Sequence, residues 1–161
     1  MEEFSVLRAV RLWFFVIALA FFIIIGSIAV HEIGHAVVAM IAGCSVESIL
    51  LFSPQSNPAT YISCSSETSQ IFVSMAGITF NILLGIIFLF SDKLLVNNIS
   101  YMFFGFGLYS GKMDLQSMGF PVLIASLVSL IGIIIIVYAL YLFCKTETLE
   151  LFRTKKQAAE V

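Results

Sequence analysis

The stretch SIAVHEIGHAVVAMIAG, from Ser27 to Gly43, decides how this chain folds and carries its most informative side chains. It puts His31, Glu32 and His35 inside a run that is otherwise almost wholly apolar. A charged group at the centre of a bilayer costs at least about 2.5–3.5 kcal/mol on insertion scales, so such groups are functional by default. His31 and His35 are also the only histidines of the chain. This segment therefore predicts a functional site inside an apolar helix.

The composition is that of an integral membrane protein. Of 161 residues, 60% are hydrophobic and 11% are charged, and the mean hydropathy is +1.07. Soluble domains are about 45–50% apolar and about 25% charged. We therefore expect one membrane-embedded domain over residues 1–161, surrounded by a lipid bilayer. The net charge of −2, with no basic patch, excludes a nucleic-acid partner.

Four apolar stretches predict an all-α polytopic membrane protein with about four transmembrane helices. They are Leu12–Ala42, Ser69–Phe90, Leu94–Ser110 and Phe120–Cys144. The first is long enough to cross about 30 Å of hydrocarbon with a turn or two protruding. The third is marginal, because it contains Asn97, Asn98 and two glycines, and it could be re-entrant.

The polar segment between the first two stretches predicts a short β-hairpin at the membrane surface. Val46–Phe52 and Tyr61–Ser65 have strand-like composition, and SPQSNP, residues 53–58, has the composition of a turn. Cys44 and Cys64 flank the hairpin and could form a disulfide if it is extracytoplasmic.

The distribution of Lys and Arg predicts the orientation. With four spans, only Lys112 lies on the hairpin side. The other side carries Arg8, Arg11, Lys93, Lys145, Arg153, Lys155 and Lys156. We therefore expect both termini in the cytoplasm and the hairpin outside, in the plasma membrane. A re-entrant third stretch would put the termini on opposite sides and remove this argument.

The sequence HEIGH predicts a zinc site. His31 and His35 are four residues apart, so both imidazoles project from one helix face and can share one ion. Glu32 is turned away from that pair and can act as general base on the water that the metal activates. Catalytic zinc takes three protein ligands and keeps one position open.

Depth along the helices selects a candidate for the third ligand. With a rise of about 1.5 Å per residue, His35 lies about 12 Å below the hairpin side of the first span. Asp92 follows the second span and so lies at the opposite face. Asp114, between the third and fourth spans, returns to the hairpin side and is the best candidate. Glu47 and Glu67 are on the correct side but are expected at the rim of the hairpin.

The second span carries a stripe of small and polar residues. Gly77, Asn81 and Gly85 recur every four residues, which allows another helix to approach closely. Counting residues from Ser69 brings Gly77 to the level of His35 and Asn81 near His31. Asn81 could then donate a hydrogen bond to a substrate carbonyl or a developing oxyanion, or else join two helices.

Taken in order, these segments resemble the site-2 protease family of intramembrane zinc metallopeptidases. The matching segments are HEIGH (31–35), the polar hairpin, AGITFN (76–81) and the aspartate in GKMDLQSMG (111–119). The resemblance implies a three-helix core that cleaves transmembrane segments of other proteins. It makes His31, His35 and Asp114 the Zn²⁺ ligands, Glu32 the general base and Asn81 an active-site polar group. Ile78 stands where the family usually has a proline, and the third motif lacks the usual Asn-Pro and the glycine after the aspartate.

The predicted function is zinc-dependent hydrolysis of peptide bonds in or near transmembrane segments of a membrane-protein substrate. One alternative is a ZIP-like metal transporter, whose helix carries a similar His-Glu-x-Pro-His-Glu pattern; here Gly34 replaces the proline and Ala36 the second glutamate. Another is a catalytically inactive relative that binds membrane segments and has lost ligation by Asp114.

Overall fold

The computed structural model describes residues 2–51 and 58–159 and consists of helices with one hairpin. The helices are α1 (Glu2–Ile41), α2 (Glu67–Leu89), α3 (Leu94–Ser110), α4 (Lys112–Ser117) and α5 (Val122–Ala159). The strands are β1 (Ser45–Leu50) and β2 (Ala59–Ser63). The predicted all-α class with a hairpin after the first helix is confirmed, although β2 begins two residues earlier than predicted. Residues 53–57 of the predicted turn lie outside the described residues.

Helices α1 and α2 are antiparallel neighbours that pack through matched four-residue stripes. The buried residues of α1 include the row Ser27, His31, His35 and Ala39, and those of α2 include the row Val73, Gly77, Asn81 and Gly85. Rows spaced by four residues on both helices are the commonest way for helices to interlock. The small stripe predicted on α2 therefore brings this helix against the histidine-bearing face of α1.

Helix α3 runs back along α2 and lies between α2 and α5, with which it makes its most extensive contacts. Gly85 of α2 packs against Phe104, and Asn81 packs against Gly107 at the end of α3 nearer the hairpin. α5 reverses direction again. Ser129, in the first part of α5, donates to the carbonyl of Tyr109 at the end of α3, at 3.3 Å, which places these two helix ends side by side. α3 is a continuous helix rather than a re-entrant loop, so α1 begins and α5 ends at the end of the bundle opposite the hairpin.

Within the part of the chain that the structure describes, three helices are long and apolar enough to cross a membrane: Val10–Ile41, Ser69–Leu89 and Val122–Thr146. Large apolar side chains such as Phe14, Phe22 and Leu123 point outward, as expected of a surface that faces lipid. The predicted count of about four spans is confirmed for these three. α3 has 17 residues and is about 26 Å long, slightly short of the roughly 20 residues a span needs.

The hairpin is joined to the end of α1 by a tight turn and a disulfide. Gly43 has a φ of +73°, and the backbone N–H of Cys44 donates to the Ala39 carbonyl at 2.9 Å, which is a glycine-terminated helix end. Cys44 and Cys64, whose pairing the sequence left open, form a disulfide with 4.5 Å between their Cα atoms. Together with Val73 of α2, these contacts hold the hairpin against the ends of both helices.

Candidate metal centre

The side chains of His31, His35 and Asp114 meet between α1 and α4. His31 Nε2 lies 3.1 Å from Asp114 Oδ2, and His35 Nε2 lies 3.5 Å from Asp114 Oδ1. The two Nε2 atoms are 3.1 Å apart. Within the described residues, these three form the one group of His, Cys, Asp or Glu side chains whose possible ligand atoms all lie within 4.8 Å of one another.

Neighbouring helices fix which ring nitrogen of each histidine carries hydrogen. His35 Nδ1 lies 2.6 Å from the Val73 carbonyl oxygen, which can only accept, so Nδ1 must donate. His31 Nδ1 lies 3.1 Å from Ser110 Oγ, and that hydroxyl donates to the Phe106 carbonyl at 2.7 Å. Since the serine hydrogen is used there, His31 Nδ1 donates to Ser110 Oγ. Both Nε2 atoms therefore present lone pairs to the centre of the group.

The converging atoms form a donor set that can hold a metal cation. Two imidazole lone pairs and a carboxylate within 4.8 Å repel one another unless positive charge lies between them. Metal-bound histidines typically use the other ring N–H for such a hydrogen bond, which fixes the ring. The residues present thus fit a divalent metal ion, with two nitrogen ligands and one oxygen ligand.

Asp114 is brought to the histidines by the way α4 packs on α2. Gly111, which precedes α4, lies against the side chain of Ile78, and a Cβ at Gly111 would overlap that side chain. The hydroxyls of Ser117 and Ser74 are hydrogen-bonded at 2.8 Å. Ile78, at the position of the family's usual proline, therefore packs where α3 passes into α4.

The carboxyl group of Asp114 is poised to be ionised. Burial by itself raises the pKa of Asp114, but the imidazoles of His31 and His35, when they carry a proton on Nε2 in the absence of a metal, outweigh it and hold the pKa below its ordinary value. The side chain is 16% exposed. A carboxylate, rather than a carboxylic acid, is the form that binds a metal.

Gly77 is the wall of this centre on α2. A Cβ at this position would lie 2.5 Å from His31 Cε1 and 2.6 Å from the Nε2 atoms of both histidines. Real Cβ atoms do not approach so closely. Gly77 was predicted at the level of His35; it lies against both histidines, and Val73 is the residue of α2 that meets the far side of the His35 ring. Glycine at this position leaves room for the two rings.

Glu32 is buried beside the histidines but points to the hairpin, and it does not belong to the ligand group. Thr60 of β2 donates from Oγ1 to Glu32 Oε2 at 2.7 Å. The same hydroxyl is 3.1 Å from the backbone oxygen of Glu32. A buried carboxylate next to the metal ligands but outside their set has the arrangement expected of a proton acceptor.

Asn81 is fully buried one turn deeper than His31. Its Oδ1 accepts from Ser27 Oγ at 3.1 Å, and its Nδ2 has no hydrogen-bond partner among the described residues. The predicted level near His31 was wrong by about one turn, since Ser27 precedes His31 by four residues. Asn81 does join α1 to α2, and its role toward substrate stays a prediction.

The other candidate carboxylates lie apart from the centre. Glu47 is exposed in a bulge of β1, where the register shifts between Val46 and Ser48. Glu67 is exposed in the first turn of α2. Asp92 is exposed in the connection from α2 to α3, at the opposite end of the bundle.

Three contributing residues were missed by the sequence reasoning. Ser110, Thr60 and Ser27 bond to His31, Glu32 and Asn81 respectively. A serine in an apolar helix does not by itself indicate a contact with another helix, because its hydroxyl can bond to a carbonyl of its own helix. Ser27 could have been found, since it precedes His31 by one turn on the same face.

Comparison with known proteins gives the family. A protein-family model described as Peptidase M50B-like matches residues 5–154, nearly the whole chain. Searches of curated proteins and of solved structures found no match. The match confirms the resemblance to the site-2 proteases drawn from HEIGH and the later motifs. The chain is an integral membrane protein that belongs to the Peptidase M50B-like family.

Proposed function

We propose that the protein is a zinc-dependent intramembrane endopeptidase that hydrolyses peptide bonds in or near transmembrane segments of other membrane proteins. The observation that carries the proposal is that the side chains of His31, His35 and Asp114 converge, with the tautomer of each histidine fixed by a hydrogen bond. The buried Glu32 lies beside this group but does not belong to it. Membership of a peptidase family adds the reaction class.

His31, His35 and Asp114 are the residues we assign to hold the zinc ion. Two nitrogen ligands and one carboxylate are a ligand set typical of catalytic zinc in peptidases. When bound, zinc supplies Lewis acidity that polarises a carbonyl and makes hydroxide available near neutral pH. Gly77 keeps the space for both imidazoles open.

Glu32 is the group we assign to proton transfer. It accepts a proton from the attacking water and then delivers that proton to the leaving amine, so one carboxylate serves both steps. Burial of Glu32 limits its access to bulk water. Asn81 Nδ2, which is buried and lacks a described partner, is the donor we assign to the substrate carbonyl or oxyanion.

The substrate must be locally unwound before it is cleaved. A transmembrane helix engages its backbone carbonyls in hydrogen bonds, which hides the scissile bond. The hairpin beside the site has two strands, and so each strand has an unpaired edge. An unwound segment can pair with such an edge, which would hold its peptide bond extended.

We also propose that the termini are cytoplasmic and that the centre opens toward the outer face of the plasma membrane. Seven of the eight Lys and Arg residues belong to segments at the end opposite the hairpin. The disulfide at the hairpin also favours an oxidising compartment. Alkylation of both Cys44 and Cys64 in unreduced native membranes would contradict this orientation.

The test of function is Glu32→Gln, compared with wild type for zinc content and for cleavage. The substrates are a panel of fluorogenic peptides carrying transmembrane-like apolar segments in detergent micelles. We expect about one zinc per chain in both proteins and a loss of cleavage of about 10²–10⁴-fold, the range for a general acid–base group. Glu67→Gln, an exposed glutamate in the first turn of α2, is the matched control.

Cleavage by Glu32→Gln at the wild-type rate would remove Glu32 from the mechanism. Wild type that takes up no zinc, even after reconstitution, and cleaves no panel member would favour the inactive relative that lacks ligation by Asp114. Metal flux into liposomes that contain the protein would favour the transporter. The described residues hold a single ligand cluster, which suits a fixed site better than a permeation path.

A further inference from the structure

We propose that Thr60 is a positioning residue for Glu32, which makes the hairpin part of the catalytic apparatus. The proposal rests on the proposed function, because Glu32 is taken as the general base. Thr60 belongs to β2, whereas Glu32 and both histidines belong to α1. The hairpin would therefore act on the chemistry itself, independently of any contact with substrate.

The geometry of the contact is that of a strong hydrogen bond. Thr60 Oγ1 lies 2.7 Å from Glu32 Oε2 and 3.1 Å from the Glu32 backbone oxygen. A hydroxyl has one hydrogen, and the shorter distance and the negative charge both favour donation to the carboxylate. The bond engages one carboxylate oxygen. The other, Oε1, can then accept a proton from water while the group is held still.

Thr60 is itself held firmly, so it can serve as a fixed point. It pairs with Ile49 in the antiparallel ladder, and threonine has a stiff side chain. Two residues further along β2, Ile62 packs against the buried cluster that includes Ala39 and Val73. The disulfide closes the hairpin just beyond Ile62. The hydroxyl is thus fixed by backbone pairing, apolar contact and a covalent bond.

Glu32 needs such a fixed point more than the metal ligands do. Both imidazoles are oriented by hydrogen bonds to α2 and α3. A glutamate has more rotatable bonds, and its backbone on α1 does not determine where the carboxylate lies. A general base must stay within hydrogen-bond reach of the proton it removes, and small displacements reduce the rate strongly.

The experiment compares Thr60→Val, which replaces the hydroxyl by a methyl group, with Thr60→Ser, which keeps it. The matched control is Thr79→Val, since Thr79 is exposed on α2 and its hydroxyl bonds within its own helix, to the Met75 carbonyl at 2.9 Å. Each protein is measured for zinc content, for thermal stability, and for kcat and KM on the peptide panel. We expect Thr60→Val to keep its zinc and its KM, and to lose about tenfold to a hundredfold in kcat. Thr60→Ser and Thr79→Val should match wild type.

A second measurement needs neither a substrate nor turnover. A hydroxamic acid gives up a proton when it binds a metal, and a nearby carboxylate can take it. The affinity of acetohydroxamate for the cobalt-loaded protein, followed by visible absorption, should fall about tenfold in Thr60→Val and stay at the wild-type value in Thr60→Ser. The decrease should disappear in the Glu32→Gln background, because Thr60 acts through Glu32.

Wild-type kcat and wild-type acetohydroxamate affinity in Thr60→Val would overturn the proposal and leave the proposed function intact. A raised KM with unchanged kcat would also overturn it, since Thr60 would then contact substrate. If Thr60→Val does not fold, Thr60→Ala takes its place, and failure of both would make the hydroxyl a structural requirement only. Wild type without zinc would instead refute the proposed function.

Discussion

The metal ligands and the general base are held by two different parts of the molecule. His31, His35 and Asp114 are fixed by helix packing around Gly77, and the two histidines also donate hydrogen bonds to α2 and α3. Glu32, although next to His31 in sequence, accepts a hydrogen bond from Thr60 of the hairpin. Each part uses the interactions available to it: close backbone approach within the bundle, and a disulfide with strand pairing outside it.

This difference implies that metal binding and catalysis can be disrupted separately. A change that separates α1 from α2 should remove the metal and with it all activity. A change that loosens the hairpin should leave the metal in place, because none of the three ligands lies on a strand.

Among changes to the packing around the site, the largest effect is expected from Gly77→Ala. The added Cβ would lie within 2.6 Å of both Nε2 atoms, so the rings must move and the ligand set is distorted. We expect zinc affinity to fall about tenfold to a hundredfold, as for lost support of metal ligands. The measurement is competition with a chromophoric zinc chelator. Gly26→Ala is the control, because a Cβ there meets nothing within 4 Å.

Equal zinc affinity in Gly77→Ala and Gly26→Ala would show that the rings have room to move. The packing of α1 against α2 would then not hold the metal ligands rigidly.

A smaller and different effect is expected when the disulfide is removed by changing both Cys44 and Cys64 to alanine. The bridge spans 20 residues of sequence, and closing a loop of this size is worth about 3 kcal/mol on the chain-entropy account. We expect faster amide hydrogen exchange in the two strands, Ser45–Leu50 and Ala59–Ser63, with lower cleavage activity and an unchanged zinc content. Cys144→Ser, which leaves the bridge intact, is the control. Loss of zinc together with hairpin protection would contradict the separation of the two parts.

Much of the site followed from the sequence because its chemistry is local. His31, Glu32 and His35 occupy one helical turn and a half, and ionisable groups in an apolar helix have few structural explanations. Asp114 was found by depth alone, since three helices of known rise fix which loop returns to the same level. The hairpin followed from strand composition between two cysteines, whereas their bridging depends on a distance that the sequence does not give.

The residues that the sequence did not reveal act through tertiary contacts. Ser110 supports His31 only because α3 passes beside α1, and Thr60 supports Glu32 only because the glycine-terminated end of α1 turns the hairpin back. The depth of Asn81 was misjudged because the count began at Ser69, whereas the packing aligns Val73 with His35 and Asn81 with Ser27. A one-turn shift along a helix leaves the apolar pattern unchanged and so cannot be detected from it.

The most direct test of the central claim is zinc per chain, by elemental analysis of detergent-purified wild type and Asp114→Ala. Asp92→Ala, an exposed aspartate at the other end of the bundle, is the control. Three ligands that converge on one point predict about one zinc in wild type and in Asp92→Ala, and a large loss in Asp114→Ala. Full zinc occupancy in Asp114→Ala, or no zinc in wild type after reconstitution, would contradict the account.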